Sequence, residues 1–332
     1  SPPTRNAAAR PRKDAAGQGA LFTAAPDKRT VLSASASTDK AVSLDGIESL
    51  SDAWARISTH FDDLYSVPDT IPALRQTILQ LAVQGKLVPQ DPNDEPASVL
   101  RDQIKVKRQS LAAELCLRGD AECASTCEHQ PYNIPESWEW MPLSEFGLFM
   151  GGGTPSKINS SYWNGRIPWV TPKDMKVPII RDSIDHISEL AIKESSAKWI
   201  QKGSLLFVVR GMILAHSFPV ALTECDVTIN QDMKALVLAE KGISKYLLLA
   251  AACSKSRILE IIKSSGHGTK RLESDALYSC LIPIPPVAEQ DRIMAKIDAL
   301  MALCDELEAK LAAARDASAA LASSAVHHLL AV

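Results

Sequence analysis

Apolar side chains recur along this chain with two different periods, and the change of period divides it. Ile47, Leu50, Trp54, Ile57 and Phe61 follow one another at three- and four-residue steps, which predicts a helix from about residue 43–47 to Tyr65. A second helix is predicted from around Pro72, a residue suited to a first helical turn. It carries Leu74, Ile78, Leu81 and Ala82 on one face and runs into Gly85. Residues 88–96 break the pattern, because Pro89, Pro92 and Pro96 cannot continue a helix. Ser98 is then predicted to cap a third helix with Leu100, Ile104, Leu111 and Leu115 on its apolar side. From Tyr132 to Pro285 the period shortens. Residues 167–170, 204–209 and 235–238 are brief apolar runs between turn residues and predict strands, with one helix over 243–264 facing inward through Tyr246, Leu247, Ala250, Ala251, Ile258 and Ile261.

The last segment has the most regular pattern. Ile293, Ile297, Leu300, Cys304, Leu307, Leu311, Ala314, Ser318, Leu321 and Ala325 alternate steps of four and three, with Asp305, Glu306, Glu308, Lys310 and Arg315 on other faces. So narrow a seam predicts a coiled coil rather than a helix lying on its own domain, which would carry a wider stripe. The front arm is a partner of the right type, in this chain or in another. The expected fold class is α+β: one mixed α/β domain flanked by long helices that form a coiled-coil arm. The expected divisions are a flexible tail over 1–45, a helical arm and linker over 46–130, the mixed domain over 131–285 and the rear helix over 286–332.

Composition narrows the function classes. Hydrophobic residues make up 46% of the 332, enough for a sizeable core, and aromatics only 5%, which favours Ala, Leu and Ile packing over an all-β sandwich. The net charge of −3 argues against a wholly basic nucleic-acid coat. No apolar run approaches the length of a membrane span. Residues 1–45 hold seven Lys/Arg and four Asp without the apolar centre of a secretory signal. Seven cysteines, an odd number set mostly in apolar runs, fit reduced thiols and a cytoplasmic location.

Catalytic signatures are sparse. The chain lacks a phosphate-cradling G-x-x-x-x-G-K-[ST] loop, an H-E-x-x-H pair and a G-x-S-x-G elbow. The run from Gly151 to Lys157 reads either as a tight loop that approaches phosphate or a base edge, or as a turn between strands. Asp174 and Asp232, each two residues before a lysine, could serve a Mg²⁺-dependent nuclease, although no second carboxylate is identifiable beside either. Cys116, Cys123, Cys127 and His129 offer zinc-ligand chemistry, but their spacing departs from paired knuckles and the stretch reads as a linker. Charge is mildly sorted. The central span has 17 Lys/Arg against 15 Asp/Glu, whereas the segment from Pro286 has four basic and seven acidic residues. The central domain's polar turns supply groups that serve phosphates and base edges.

Several runs, in order, carry a family resemblance. They are residues 74–90 (LRQTILQLAVQGKLVPQ), 134–140 (IPESWEW), 153–156 (GTPS) and 162–171 (YWNGRIPWVT). Gly203-Ser204-Leu205-Leu206, Arg210-Gly211, residues 228–232 (TINQD), Gly268-Thr269 and residues 282–290 (IPIPPVAEQ) follow. The series resembles the specificity subunits of type I restriction–modification systems over roughly residues 71–312. The resemblance implies a target recognition domain that reads double-stranded DNA, mounted on helices that hold a modification subunit. It implies that this chain is non-catalytic. Chemistry would reside on an adenine methyltransferase subunit using S-adenosylmethionine and a motor–nuclease subunit using ATP and Mg²⁺. Members of the family carry two recognition domains; this sequence carries one, so we expect a half-subunit or a part of a longer chain. As a half-subunit it would pair head-to-tail with a second copy and read an interrupted palindrome. Loop chemistry and motif position select Thr154, Ser156, Lys157, Lys173, Lys176, Arg210, His216, His267, Thr269, Lys270 and Arg271 for DNA contact. The pairing helix would use Ile293, Ile297, Leu300, Cys304, Leu307 and Leu311. A DNA-cleaving enzyme and a scaffold that reads no DNA are the alternatives.

Overall fold

The computed structural model describes residues 70–115, 130–264 and 270–330, and the predicted helix from 43–47 to Tyr65 lies outside them. Helix α1 (Thr70–Val83) buries Ile71, Ile78, Leu79, Ala82 and Val83. It stops at Gly85, whose φ of +70° suits a residue without a side chain; a Cβ there would also strike the Pro135 ring at 2.5 Å. Helix α2 (Ala97–Glu114) begins two residues earlier than the Ser98 cap predicts. Pro96 holds the capping position at φ −56° and ψ 147° and no side chain caps the helix, because proline pre-sets the backbone and needs no donor there. Leu100 and Ile104 are buried and Leu111 and Leu115 are half-buried, so the predicted face fades towards the helix end.

The architecture is α+β. The strands are β1 (Glu139–Pro142), β2 (Gly147–Gly151), β3 (Ile167–Val170), β4 (Ile179–Ile180), β5 (Asp185–Ile187), β6 (Leu205–Val208), β7 (Val220–Thr223), β8 (Thr228–Ile229), β9 (Met233–Leu238) and β10 (Leu281–Ile284). They form a five-stranded sheet of order β2-β9-β6-β7-β4, a three-stranded sheet β5-β3-β8 and a two-stranded sheet β1-β10. Leu205, Leu206, Phe207 and Val208 are all fully buried, so β6 has both faces covered and reads as a continuous apolar run rather than an alternating one. Antiparallel pairing of β1 with β10, Glu139 opposite Ile284, brings the two ends of the central domain together.

The helices among the strands are α3 (Glu189–Glu194), α4 (Ser244–Cys253), α5 (Lys255–Ser264) and α6 (Ser274–Tyr278). The single helix predicted over 243–264 is thus two. Ser254 separates them, its hydroxyl donating to the Ala250 carbonyl at 3.0 Å and accepting from Arg257 at 2.8 Å. Past that break the inward residue is Ile262, not the predicted Ile261, which is 46% exposed.

Helix α7 (Val287–Leu330) has 44 residues and a length of about 66 Å at the usual rise. Helix α1 of the same chain packs on its first part. Arg75 from α1 donates to Asp305 at 2.5 Å and Glu308 at 3.1 Å. Ile293, Ile297 and Cys304 are buried there, and Leu307 and Leu311 are half-buried against the core. Leu300 is only half-buried and Met301 is buried in its place. An untwisted helix turns every 3.6 residues, so its inner line drifts off a strict seven-residue repeat and passes from Ile297 to Met301. Further along, Ala314, Ser318 and Leu321 are exposed.

Candidate nucleic-acid interface

Four loops, all carrying predicted contact residues or hub residues, converge on the turn between β8 and β9. Asn230 of that turn is buried; its side chain accepts from the Asp232 amide at 3.1 Å and donates to the Asp232 carboxylate at 3.3 Å. These bonds brace the turn; three of the loops attach to it or to the adjoining Ile229 through backbone groups, and the fourth is joined to the third.

The first loop follows β2. The Gly153 amide donates to the Ile229 carbonyl at 2.9 Å. A Cβ on Gly152 would lie 2.2 Å from the carbonyl oxygens of Ile229 and Asn230, and one on Gly153 would lie 2.2 Å from the Ser196 hydroxyl. These glycines are needed for close approach. Two indoles brace the loop: Trp169 donates to the Gly153 carbonyl at 3.0 Å and Trp163 to the Ser156 carbonyl at 3.1 Å. Their rings meet edge to face at 5.0 Å. Thr154 is half-buried and its hydroxyl donates to Gln231, while Ser156 and Lys157 stand in solvent.

The second loop follows β3 and is joined to the hub where the Asn230 amide donates to the Val170 carbonyl at 3.1 Å. It presents Lys173 and Lys176 outward around the buried Met175. Asp174 braces it. One carboxylate oxygen accepts from the Thr171 amide and hydroxyl at 2.8 and 2.9 Å, and the other from the Ile184 amide at 2.9 Å.

The third and fourth loops meet each other. Val209 and Arg210 amides donate to the Asp232 carbonyl at 2.9 and 3.2 Å, and Arg210 forms an antiparallel bridge with Arg271. The Gly211 amide donates to the Lys270 carbonyl at 3.0 Å and Leu272 to that of Val209 at 2.9 Å. Arg210 lies 3.9 Å from the Asp232 carboxylate and Arg271 lies 3.3 Å from Glu273, both pairs partly exposed. His216 is exposed at the end of the short turn that follows Arg210.

Nine of the predicted contact residues thus lie on loops tied, directly or through one another, to one braced turn, and their exposed cations can meet a polyanion. His267 and Thr269 lie outside the described residues, as do the zinc candidates Cys116, Cys123, Cys127 and His129. The nuclease reading needs Asp174 and Asp232 free for a cation. Asp174 instead spends both oxygens on loop amides, and Asp232 faces Asn230 and Arg210. Sequence reasoning missed the indoles of Trp163 and Trp169 as loop braces. The available signal was two tryptophans close behind a triple glycine in a chain with only 5% aromatics.

Residues 135–314, more than half of the chain, match the family model described as type I restriction modification DNA specificity domain. The Escherichia coli type I restriction enzyme EcoR124I/EcoR124II specificity subunit is 41% identical over 161 residues, which is 48% of this chain and 40% of that protein. The Escherichia coli EcoAI specificity subunit is 30% identical over 286 residues, 79% of this chain and 45% of that protein. A crystal structure of the HsdS subunit from Thermoanaerobacter tengcongensis aligns at 17% identity with a TM-score of 0.40, covering 78% of this chain and 55% of that one. The chain spans less than half the length of those two Escherichia coli relatives. It belongs to the family of type I restriction modification DNA specificity domains.

Proposed function

We propose that this chain reads double-stranded DNA as the non-catalytic specificity component of a type I restriction–modification complex. In that role it directs a partner adenine methyltransferase, which uses S-adenosylmethionine, and a motor–nuclease, which uses ATP and Mg²⁺, to one target in the cytoplasm. The observation that carries this reading is the convergence of Lys157, Lys173, Lys176, Arg210 and Arg271 on loops braced by the turn at Asn230. Cations fix a protein on phosphates, and rigid loops bearing Arg, Thr and Ser can address base edges.

The target is bipartite in this reading. One half is read by the central domain and the other by a second copy paired head-to-tail along α7, so the helix length sets the gap between halves. The exposed residues 312–321 of α7 support such pairing, and joining two half-sites raises avidity without any new base contact. Mapping methylated adenines in the native host, with and without this gene, tests the proposal. Loss of one interrupted palindrome on deletion is the expected result, restored by the wild-type gene but not by an Arg210→Ala, Arg271→Ala variant. An unchanged methylation map would overturn it.

A further inference from the structure

The short turn Met212–Ala215 carries two aliphatic side chains on the outer surface of the DNA-facing loops. Met212 is 67% exposed and Ile213 37% exposed. Neither hangs on a loose loop. Leu214 beneath them is buried, its amide donating to the Gly211 carbonyl at 3.2 Å, and the His216 and Ser217 amides both donate to the Ile213 carbonyl, at 3.1 and 2.9 Å. Gly211, at φ +139°, makes the bend that opens the turn, and α5 packs against it. Two arginines stand beside it: Arg210 precedes the turn, Arg271 is bridged to Arg210, and both side chains are exposed, each near a carboxylate.

A hydrogen-bonded turn beside two exposed arginines gains nothing in water from a protruding methionine and isoleucine. Against a duplex it does. The cations are drawn to phosphates, and among the groups lining the major groove the thymine C5-methyl is the apolar one. We propose that Met212 and Ile213 form a thymine-reading contact, packing against the C5-methyl of one thymine while Arg210 and Arg271 engage the duplex around it. The exposed pairs of these arginines with Asp232 and Glu273 are weak and yield readily to the duplex. The inference rests on the DNA-reading function proposed above and names one element of its specificity.

Selection from fully randomised duplexes tests it, because the protein then picks out its own target. The full chain is run against two pools, one synthesised with thymine and one with uracil throughout. The two pools differ only in the methyl group. In the thymine pool one A·T position is expected to be enriched about four-fold over its uracil counterpart, the ratio for removing one methyl group from water at about 0.8 kcal/mol. The double variant Met212→Ala, Ile213→Ala is expected to erase that difference and keep the rest of the motif. Val106→Ala, which trims an aliphatic 65% exposed on α2, is expected to leave it intact. Identical motifs from both pools, or a thymine preference that survives the double variant, would overturn the methyl contact while leaving DNA reading in place. Failure of wild-type protein to select any motif from either pool would overturn both.

Discussion

The indole of Trp138 donates to the carboxylate of Glu289 at 2.9 Å, joining the residue just before β1 to the first turn of α7. Both residues are buried, and Gln90 donates to the other carboxylate oxygen at 2.6 Å, so one acid ties three segments together. Burial raises the Glu289 pKa above its ordinary 4.5, and the hydrogen bonds from Trp138 and Gln90 only partly oppose that. The folded chain therefore holds this proton to higher pH than the unfolded chain does. The associated stability is fully present below the unfolded value and is lost as pH rises through the folded one. Glu289→Gln has no such titration. As pH falls from 7 towards the ordinary glutamate range, wild type is expected to gain stability relative to Glu289→Gln in paired thermal melts. Parallel curves for the two proteins would contradict the raised pKa.

Three adjacent glycines should behave differently. A Cβ at Gly152 would stand 2.2 Å from two carbonyl oxygens, and one at Gly153 would stand 2.5 Å from Ser196 backbone atoms, whereas one at Gly151 meets nothing within 4 Å. Gly152→Ala and Gly153→Ala are expected to lower unfolding free energy by about 1–3 kcal/mol through overpacking and to impair DNA binding by displacing the loop. Gly151→Ala is expected to stay within about 0.5 kcal/mol of wild type, as surface changes do. Denaturant midpoints read all three. Equal effects at Gly151 and Gly152 would show that the approach to Asn230 is not the constraint.

Much of this architecture was legible because it follows from periodicity. Leu205 to Val208 is an unbroken apolar run and forms the strand with both faces covered, and Pro89 to Pro96 ends a helix for covalent reasons. The misreadings occurred where a local bond competes with the pattern. Ser254 turns its hydroxyl back to Ala250 and divides a helix that the spacing of Ala250 and Ile258 predicts as continuous. The drift from Leu300 to Met301 reflects helix geometry that a seven-residue count ignores. At the site, loop residues could be nominated by chemistry, but their convergence could not. It depends on Val209, Lys270 and Asp232 carbonyls accepting amides from distant segments, and backbone groups leave no trace in side-chain identity.

The two halves of α7 separate stability from pairing. Ile297 is fully buried beside α1, whereas Leu321 is 72% exposed. Ile297→Asp places a carboxylate in an apolar interior and is expected to cost more than about 3 kcal/mol of stability, read by denaturant unfolding. Leu321→Asp is expected to leave the melt unchanged and abolish head-to-tail dimers in light scattering. Leu307→Asp and Leu311→Asp, on the half-buried stretch between, are expected to weaken pairing with the central domain still folded. Unchanged dimer mass in all three exposed or half-exposed variants would rule out α7 as the pairing element.

Lys173 and Arg210 should differ in what they read, because the structure holds them differently. Among the described residues no ion pair holds Lys173 or Lys176, and both extend into solvent from a loop braced by Asp174. A flexible ammonium suits phosphate. Arg210 is held at its backbone by the Asp232 carbonyl and by the bridge to Arg271, so its planar guanidinium leaves a fixed point of the loop and suits a base edge. Lys173→Ala and Lys176→Ala are expected to weaken binding evenly across sequences, each lowering the slope of log affinity against log salt by about 1. Arg210→Ala is expected to relax one target position at a penalty of about 1–3 kcal/mol. Titrations of matched and singly mismatched duplexes at several salt concentrations distinguish these outcomes. An Arg210→Ala variant that loses affinity equally for every duplex would reassign that arginine to phosphate.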